Sequence, residues 1–259
     1  MHPEGPAYSP DVAAAAWIRP RLAPGLGTVG SVVPRGFAAY ARLLHPVDVG
    51  DRLASWREVA AETGRTVHPL VQWHRLVGSD DPLNAQGGDW TDGRPEEGNL
   101  DPEHLGALLD VLARHTGTPD DCWYGLWEGC ARVAGTRGFA SYLVSGSDDS
   151  RPGPPAFTPE QLAGPRVRHP GRDHLLLHGP LASARFIGDQ VTDGWFLPQS
   201  PSLCWPADRA WCVGTEIDFD STLVAGSRAL VDELLAHPVL EALEVHPEDS
   251  LTWDSDQVN

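Results

Sequence analysis

Lysine is missing from the 259-residue sequence, so all 19 basic side chains are arginine. That excludes a P-loop lysine, a Schiff-base lysine and the strand lysine of a protein kinase, since each of these chemistries needs a primary amine or ammonium. Cysteine is scarce, at four residues with no C-x-x-C pair, and the eleven histidines contain no H-E-x-x-H, so no conventional zinc site is indicated. No apolar run approaches the roughly 20 residues that cross a bilayer. The opening "MHPEGPAYSPDVAAAAWIRP" offers neither a basic region nor an apolar core of signal-peptide length, and the chain reads as cytoplasmic, without a membrane partner.

What is abundant is negative charge: 36 acids against 19 bases give a formal net charge of −17. The excess is uneven. Residues 1–76 hold eight arginines and six acids, and the remainder holds eleven arginines and thirty acids. Such a surface repels a nucleic-acid backbone, so no nucleic-acid partner is expected. A protein partner with a cationic surface, docking beyond residue 77 and weakening with salt, is the expectation the charge supports.

Local signals outline an α+β fold, an antiparallel or mixed sheet with a C-terminal hairpin packed by several short helices. The chain is read as one globular domain over 1–259, with a long loop at 79–100 and a proline-rich connection at 148–165. Ser55 followed by Glu58 forms a capping box, with Gly64 closing that helix. Asp101, Pro102 and the stripe Leu105, Leu108, Leu109, Leu112 predict a second helix. A third is capped by Ser227 and stopped by Pro238. Strands are expected over "DCWYGLWEG", "GFASYLVSG" and "DHLLLHG" and in a hairpin turning near Asp208, and a helix over "LASARFIG". "GLGTVG" matches the dinucleotide fingerprint, but Pro20, Pro24 and Pro34 interrupt the strand and helix it requires.

The hairpin can be specified further. A turn centred on Asp208 sets Trp205 opposite Trp211 and Cys204 opposite Cys212, with both cysteines on one face as thiols in position to share a soft metal. Beyond it, alternation puts Trp211, Val213, Thr215, Ile217, Phe219 and Leu223 on a core face. Cys212, Gly214, Glu216, Asp218 and Asp220 fall on the other. A row of three carboxylates favours a cation, and Arg166, Arg168 and Arg209 are the side chains expected to supply it. If the row lines a pocket, it can hold a divalent cation or a cationic ligand.

"EIDFDSTLV" also resembles the aspartate loop of haloacid-dehalogenase-type phosphatases, with Asp218 and Asp220 at the two aspartate positions. The match fails on the charged Glu216, on Ser221 in place of glycine, on the absent lysine and on the short stretch of chain that follows. No magnesium-dependent phosphatase activity is expected. The run "SPSLCWPADRAWCVGTEIDFDSTLVAGS", with "VVPRGFAAYARLLHP" and "HTGTPDDCWYGLWEG", resembles a family of actinobacterial cytosolic proteins of no established activity. The resemblance implies a shared fold and a bacterial cytosol, and it carries over no catalytic residue.

The reading is therefore a non-catalytic binding or regulatory protein with an acidic, tryptophan-bearing surface. The alternative is a carboxylate- and divalent-metal-dependent hydrolase using Glu216, Asp218 and Asp220, with Glu128 or a histidine. A concave site is what separates the two: a binding module should lack one around the acidic strand face.

Overall fold

A computed structural model describes residues 5–82, 88–130, 133, 156–192 and 195–259. The chain begins with β1 (Ala7–Tyr8), two short 3-10 turns and a single helical turn, α1 (Val29–Val32), before β2 (Ala39–Leu44). A side lobe follows, built from β3 (Val47–Asp48), β4 (Leu53–Ala54), α2 (Trp56–Thr63), α3 (Trp73–Leu76) and β5 (Arg94–Pro95). The chain continues through α4 (Pro102–Arg114), β6 (Cys122–Trp127), α5 (Pro159–Leu162), β7 (Val167–His169) and β8 (Arg172–Gly179). It ends with β9 (Gly188–Thr192), β10 (Trp195–Pro198), β11 (Leu203–Pro206), β12 (Cys212–Thr215), β13 (Ser221–Gly226), α6 (Arg228–Leu235) and β14 (Ala242–Val245).

The main sheet runs β1-β8-β6-β11-β12-β13-β2-β14, with β7 also on β8, and every pairing is antiparallel. This is the expected α+β class. One face carries Leu43, Val213, Val224, Tyr124 and Leu175 against the leucine stripe of α4 and Leu230, Val231 and Leu234 of α6. The other face carries Tyr40, Leu176, Leu203, Cys212 and Leu223 beneath the N-terminal segment, whose Trp17, Ile18, Val29 and Val33 cover it. The side lobe has its own core of Trp56, Val59, Val71, Trp73 and Trp90, and three-stranded pairing of β4, β3 and β5.

The helix signals appear where their local chemistry placed them. Ser55 accepts from the Glu58 amide while Glu58 reaches back to Ser55, and Gly64 takes the left-handed conformation at φ 70°. Asp101 caps α4 by accepting from the amides of Glu103 and His104, and Ser227 caps α6. "LASARFIG" folds as a 3-10 turn over Leu181–Phe186. In "GLGTVG" a 3-10 turn precedes where a strand was required. The expected strand at "GFASYLVSG" and most of the 148–165 connection lie outside the described residues.

The hairpin β11–β12 forms, but with a register shifted by one residue: Cys204 faces Val213 and Leu203 faces Gly214. The cause lies in the loop. Asp208 is held by the Gly117 amide at 2.7 Å and by Thr116, and Arg209 adopts a left-handed φ of 56°, which moves the turn centre by half a step. Parity then reverses. Cys204 joins the α4 face and Cys212 the opposite one, so the two thiols share no site. Trp205 packs edge-on to Trp17, while Trp211 donates its indole N–H to the Leu112 carbonyl at 3.1 Å.

Candidate functional site

The acidic residues sit at one end of the main sheet, in the connection between β12 and β13. Alternation holds from Trp211 to Thr215 and then stops, because the strand ends at Thr215 and residues 216–220 form the turn. The Phe219 amide closes it by donating to the Glu216 carbonyl at 3.0 Å. Thr215 pairs with Thr222, so Val224 and not Leu223 shares a face with Val213. The expected strand row of carboxylates is thus a turn, in which Glu216 and Asp218 share one arginine and Asp220 meets another.

Their cations also differ from the expected ones. Arg172, at the start of β8, donates to Glu216 at 3.0 Å and to Asp218 at 2.5 Å, with its guanidinium 5.4 Å from the Trp127 ring. Arg42, on β2, donates to Asp220 at 3.1 Å and also to Ser221 Oγ and to the carbonyls of Pro69 and Val71. Arg166 instead satisfies the carbonyls of Leu162 and Gly164 at the end of α5 and pairs with Glu128 at 3.5 Å. Arg168 pairs with Asp173, its direct cross-strand partner. Arg209 lies 5.5 Å from the Trp17 ring. Sheet order explains the exchange: the ends of β8, β6, β11, β12, β13 and β2 are level, so Arg172 and Arg42 reach the turn from either side. Arg166, immediately before β7, is engaged by Leu162, Gly164 and Glu128 instead.

Burial pushes the Glu216 carboxyl up, and Arg172 pulls it down less strongly. Burial lowers the Arg42 guanidinium from its ordinary value, with Asp220 opposing it. Hydrogen bonds to partner side chains offset part of the burial of both groups.

Asp218 and Asp220 line a cleft of about 570 Å³ between the turn, the side lobe and the C-terminal segment. The expected loop at 79–100 contains β5, and a third carboxylate enters from the segment that follows this strand. Gly98 donates to the Phe219 carbonyl at 2.9 Å, and at its φ of +69° a Cβ would stand 2.7 Å from the Ile217 Cα. Only glycine fits that approach, and it delivers Glu97 to the cleft wall beside Arg94. Burial, Asp220 and Asp218 push the Glu97 carboxyl up, with Arg94 opposing them. The apolar part of the wall comes from Trp73, Phe219 and Trp253, the last 60% exposed. His74 completes it from α3.

A second cleft of about 700 Å³ shares Arg94, Pro95 and Glu97 with the first and adds Asp48, Glu96 and Asp101. His45 forms its floor. Its Nδ1 lies 2.6 Å from the Glu96 carbonyl, which can only accept, so Nε2 accepts from the Thr222 hydroxyl at 2.9 Å, and Thr222 accepts in turn from Thr215 at 3.0 Å. Burial lowers the His45 imidazole and the Glu96 carbonyl opposes it, which fits a neutral ring spent on structure.

Among the described residues no three His, Cys, Asp or Glu side chains come together as a metal site. No described helix is long and apolar enough to cross a membrane. No family model, curated protein or solved structure matches the chain. Sequence reasoning found Asp218 and Asp220 but missed Arg42, Arg172, His74 and Glu97, which only tertiary pairing brings to the turn.

Proposed function

We propose that the chain is a cytoplasmic, non-catalytic binding or regulatory protein whose acidic cleft receives a cationic group of a macromolecular partner. The observation that carries this reading is the convergence of Glu97, Asp218 and Asp220 on one concave wall that also presents the exposed ring of Trp253. Carboxylates attract the charge, and an exposed indole face adds stacking and cation–π attraction. The docking site is thus a cleft rather than the open acidic face expected from the sequence.

The concave shape is also what the metal-dependent hydrolase alternative requires. The side-chain pairing favours binding: Asp218 and Glu216 share Arg172, Asp220 holds Arg42, and Glu128 is paired with Arg166. A divalent ion needs several of these carboxylates at once and would have to strip them from their arginines, whereas a single cationic side chain can be met by Glu97, which has no ion-pair partner among the described residues.

Tryptophan fluorescence titration with a lysine- and arginine-rich peptide, at low and high salt, tests the reading. Binding that weakens with salt and in Glu97→Gln and Trp253→Ala supports it. Absence of binding, or binding indifferent to both variants, rejects it. Magnesium-dependent turnover of a phosphate monoester that disappears in Asp218→Asn establishes the hydrolase instead.

A further inference from the structure

The acidic cleft contains one side chain that its surroundings leave unemployed. His74 is only 5% exposed, lines the cleft, and makes no side-chain hydrogen bond among the described residues. Its ring carries two nitrogens that no described group engages by a hydrogen bond, at the wall of a cleft. The other buried polar groups of this wall are engaged: Arg42 has four acceptors, and Gln72 donates to Ser255 at 3.0 Å. Burial, then Arg75, hold the His74 imidazole below its ordinary value, so a neutral ring offers one donor and one acceptor nitrogen.

The charges around it are also incomplete. Asp218 and Asp220 have arginine partners within ion-pair distance, and Glu97 has none among the described residues. Arg94, exposed at the boundary of the two clefts, lowers the Glu97 carboxyl only at longer range. With Asp218 paired to Arg172 and Asp220 to Arg42, Glu97 is the carboxylate of this wall left without an ion-pair partner among the described residues.

Resting on the reading of this cleft as a cation-binding site, we infer that its ligand is a guanidinium, the side chain of an arginine on the partner. The group would stack on Trp253, direct a pair of N–H groups to Glu97 and donate another to His74. A guanidinium is flat, weakly hydrated and carries five donors fixed in one plane, which lets it serve a carboxylate and an imidazole together while lying on an indole. A lysine ammonium is a strongly hydrated point charge. It gains from Glu97 but loses more water on reaching a buried ring, and it has no face to stack.

The experiment compares two peptides, Gly-Gly-Arg-Gly-Gly and Gly-Gly-Lys-Gly-Gly, by calorimetry and by the indole N–H resonances of the full-length protein. The expected result is about tenfold tighter binding of the arginine peptide, with the Trp253 indole signal shifted. His74→Phe should weaken the arginine peptide more than the lysine peptide, so that the preference collapses, and His74→Gln, which keeps a donor and an acceptor, should restore part of it. Circular dichroism and Tm establish that each variant is folded, and Trp253→Ala, at an exposed position, provides an independent loss of arginine binding. Equal affinity for the two peptides, both weakened by Glu97→Gln, overturns the guanidinium assignment while the cation-binding reading stands. An arginine preference that persists in His74→Phe overturns the role of His74. If neither peptide binds, both the guanidinium assignment and the cation-binding reading fall.

Discussion

Arg42 and Asp220 meet at 3.1 Å with side chains only 2% and 16% exposed, tying β2 to the acidic turn. Asp220 is therefore a structural counter-ion as well as part of the cleft wall. Asp220→Ala should cost about 3–5 kcal/mol, because it strands a buried guanidinium. Glu97→Gln, at an exposed position with no ion-pair partner among the described residues, should stay within about 0.5 kcal/mol of the parent. Urea unfolding of the two variants checks the contrast. Equal midpoints would show that Arg42 is satisfied by Pro69, Val71 and Ser221 alone.

His174 supplies a pH dependence. It is buried on β8, its Nδ1 makes no hydrogen bond among the described residues, and His169 and Arg172 lie beside it. Burial, then His169 and Arg172, push its imidazole down from 6.5 to about 3. The unfolded chain therefore takes up a proton in the interval where the folded chain refuses it, and stability falls as the pH drops from 6.5 towards 3. His174→Leu should flatten that slope by close to one proton. Tm measured at successive pH values reads the difference, and parallel curves for parent and variant would contradict the assignment.

How much of this was legible in the sequence depended on range. Ser55, Asp101 and Ser227 cap helices through amides two or three residues away, so their signals were complete within a few positions. The acidic turn was misread because Ile217 and Phe219 continue an apolar alternation after the strand has ended. Nothing local distinguishes a turn that half-buries two apolar residues from one more stretch of strand. The hairpin register failed for a similar reason: it hinges on the left-handed Arg209 and on Asp208 being gripped by Thr116 and Gly117. Arg42 stands 178 positions from Asp220, and Arg172 stands 46 from Asp218, so composition announced a need for cations but not which would answer it.

Gly98 tests how the cleft is assembled. Its left-handed backbone and the 2.7 Å approach of a hypothetical Cβ to Ile217 make Gly98→Ala a clash against backbone rather than against a side chain that could turn aside. The expected loss is about 1–3 kcal/mol, from the strained φ and the displaced loop. Glu97 moves with that loop, so the variant should also bind the arginine peptide more weakly than the parent at a temperature where both are folded. A Gly98→Ala protein with unchanged stability and affinity would mean that the loop does not depend on this approach to place Glu97.

Asp256 fastens the segment that carries Trp253. Its buried carboxylate accepts from His68 at 2.9 Å, from the amides of Gln72, Val258 and Asn259, and from the Asn259 side chain at 2.9 Å. His68 and Gln72 lead directly into Trp73 and His74, so one carboxylate fixes two walls of the cleft relative to each other. Burial alone would raise this carboxyl, but the hydrogen bonds from Asn259, Val258 and His68 together outweigh it and hold it down at about 2, against an ordinary 3.8. A depressed carboxyl stabilises the fold above its unfolded value, and that contribution is lost as the pH falls from 3.8 to about 2. The stake is about 2 kcal/mol. Asp256→Asn should remove this acid-sensitive increment, so that parent and variant differ most near neutral pH and converge near pH 2, as chemical unfolding across that range would record. If the latch also positions the indole, the variant should show a weaker Trp253 response to the arginine peptide at neutral pH. A stability gap that stayed constant down to pH 2 would assign the effect of the substitution to packing rather than to the charge of Asp256.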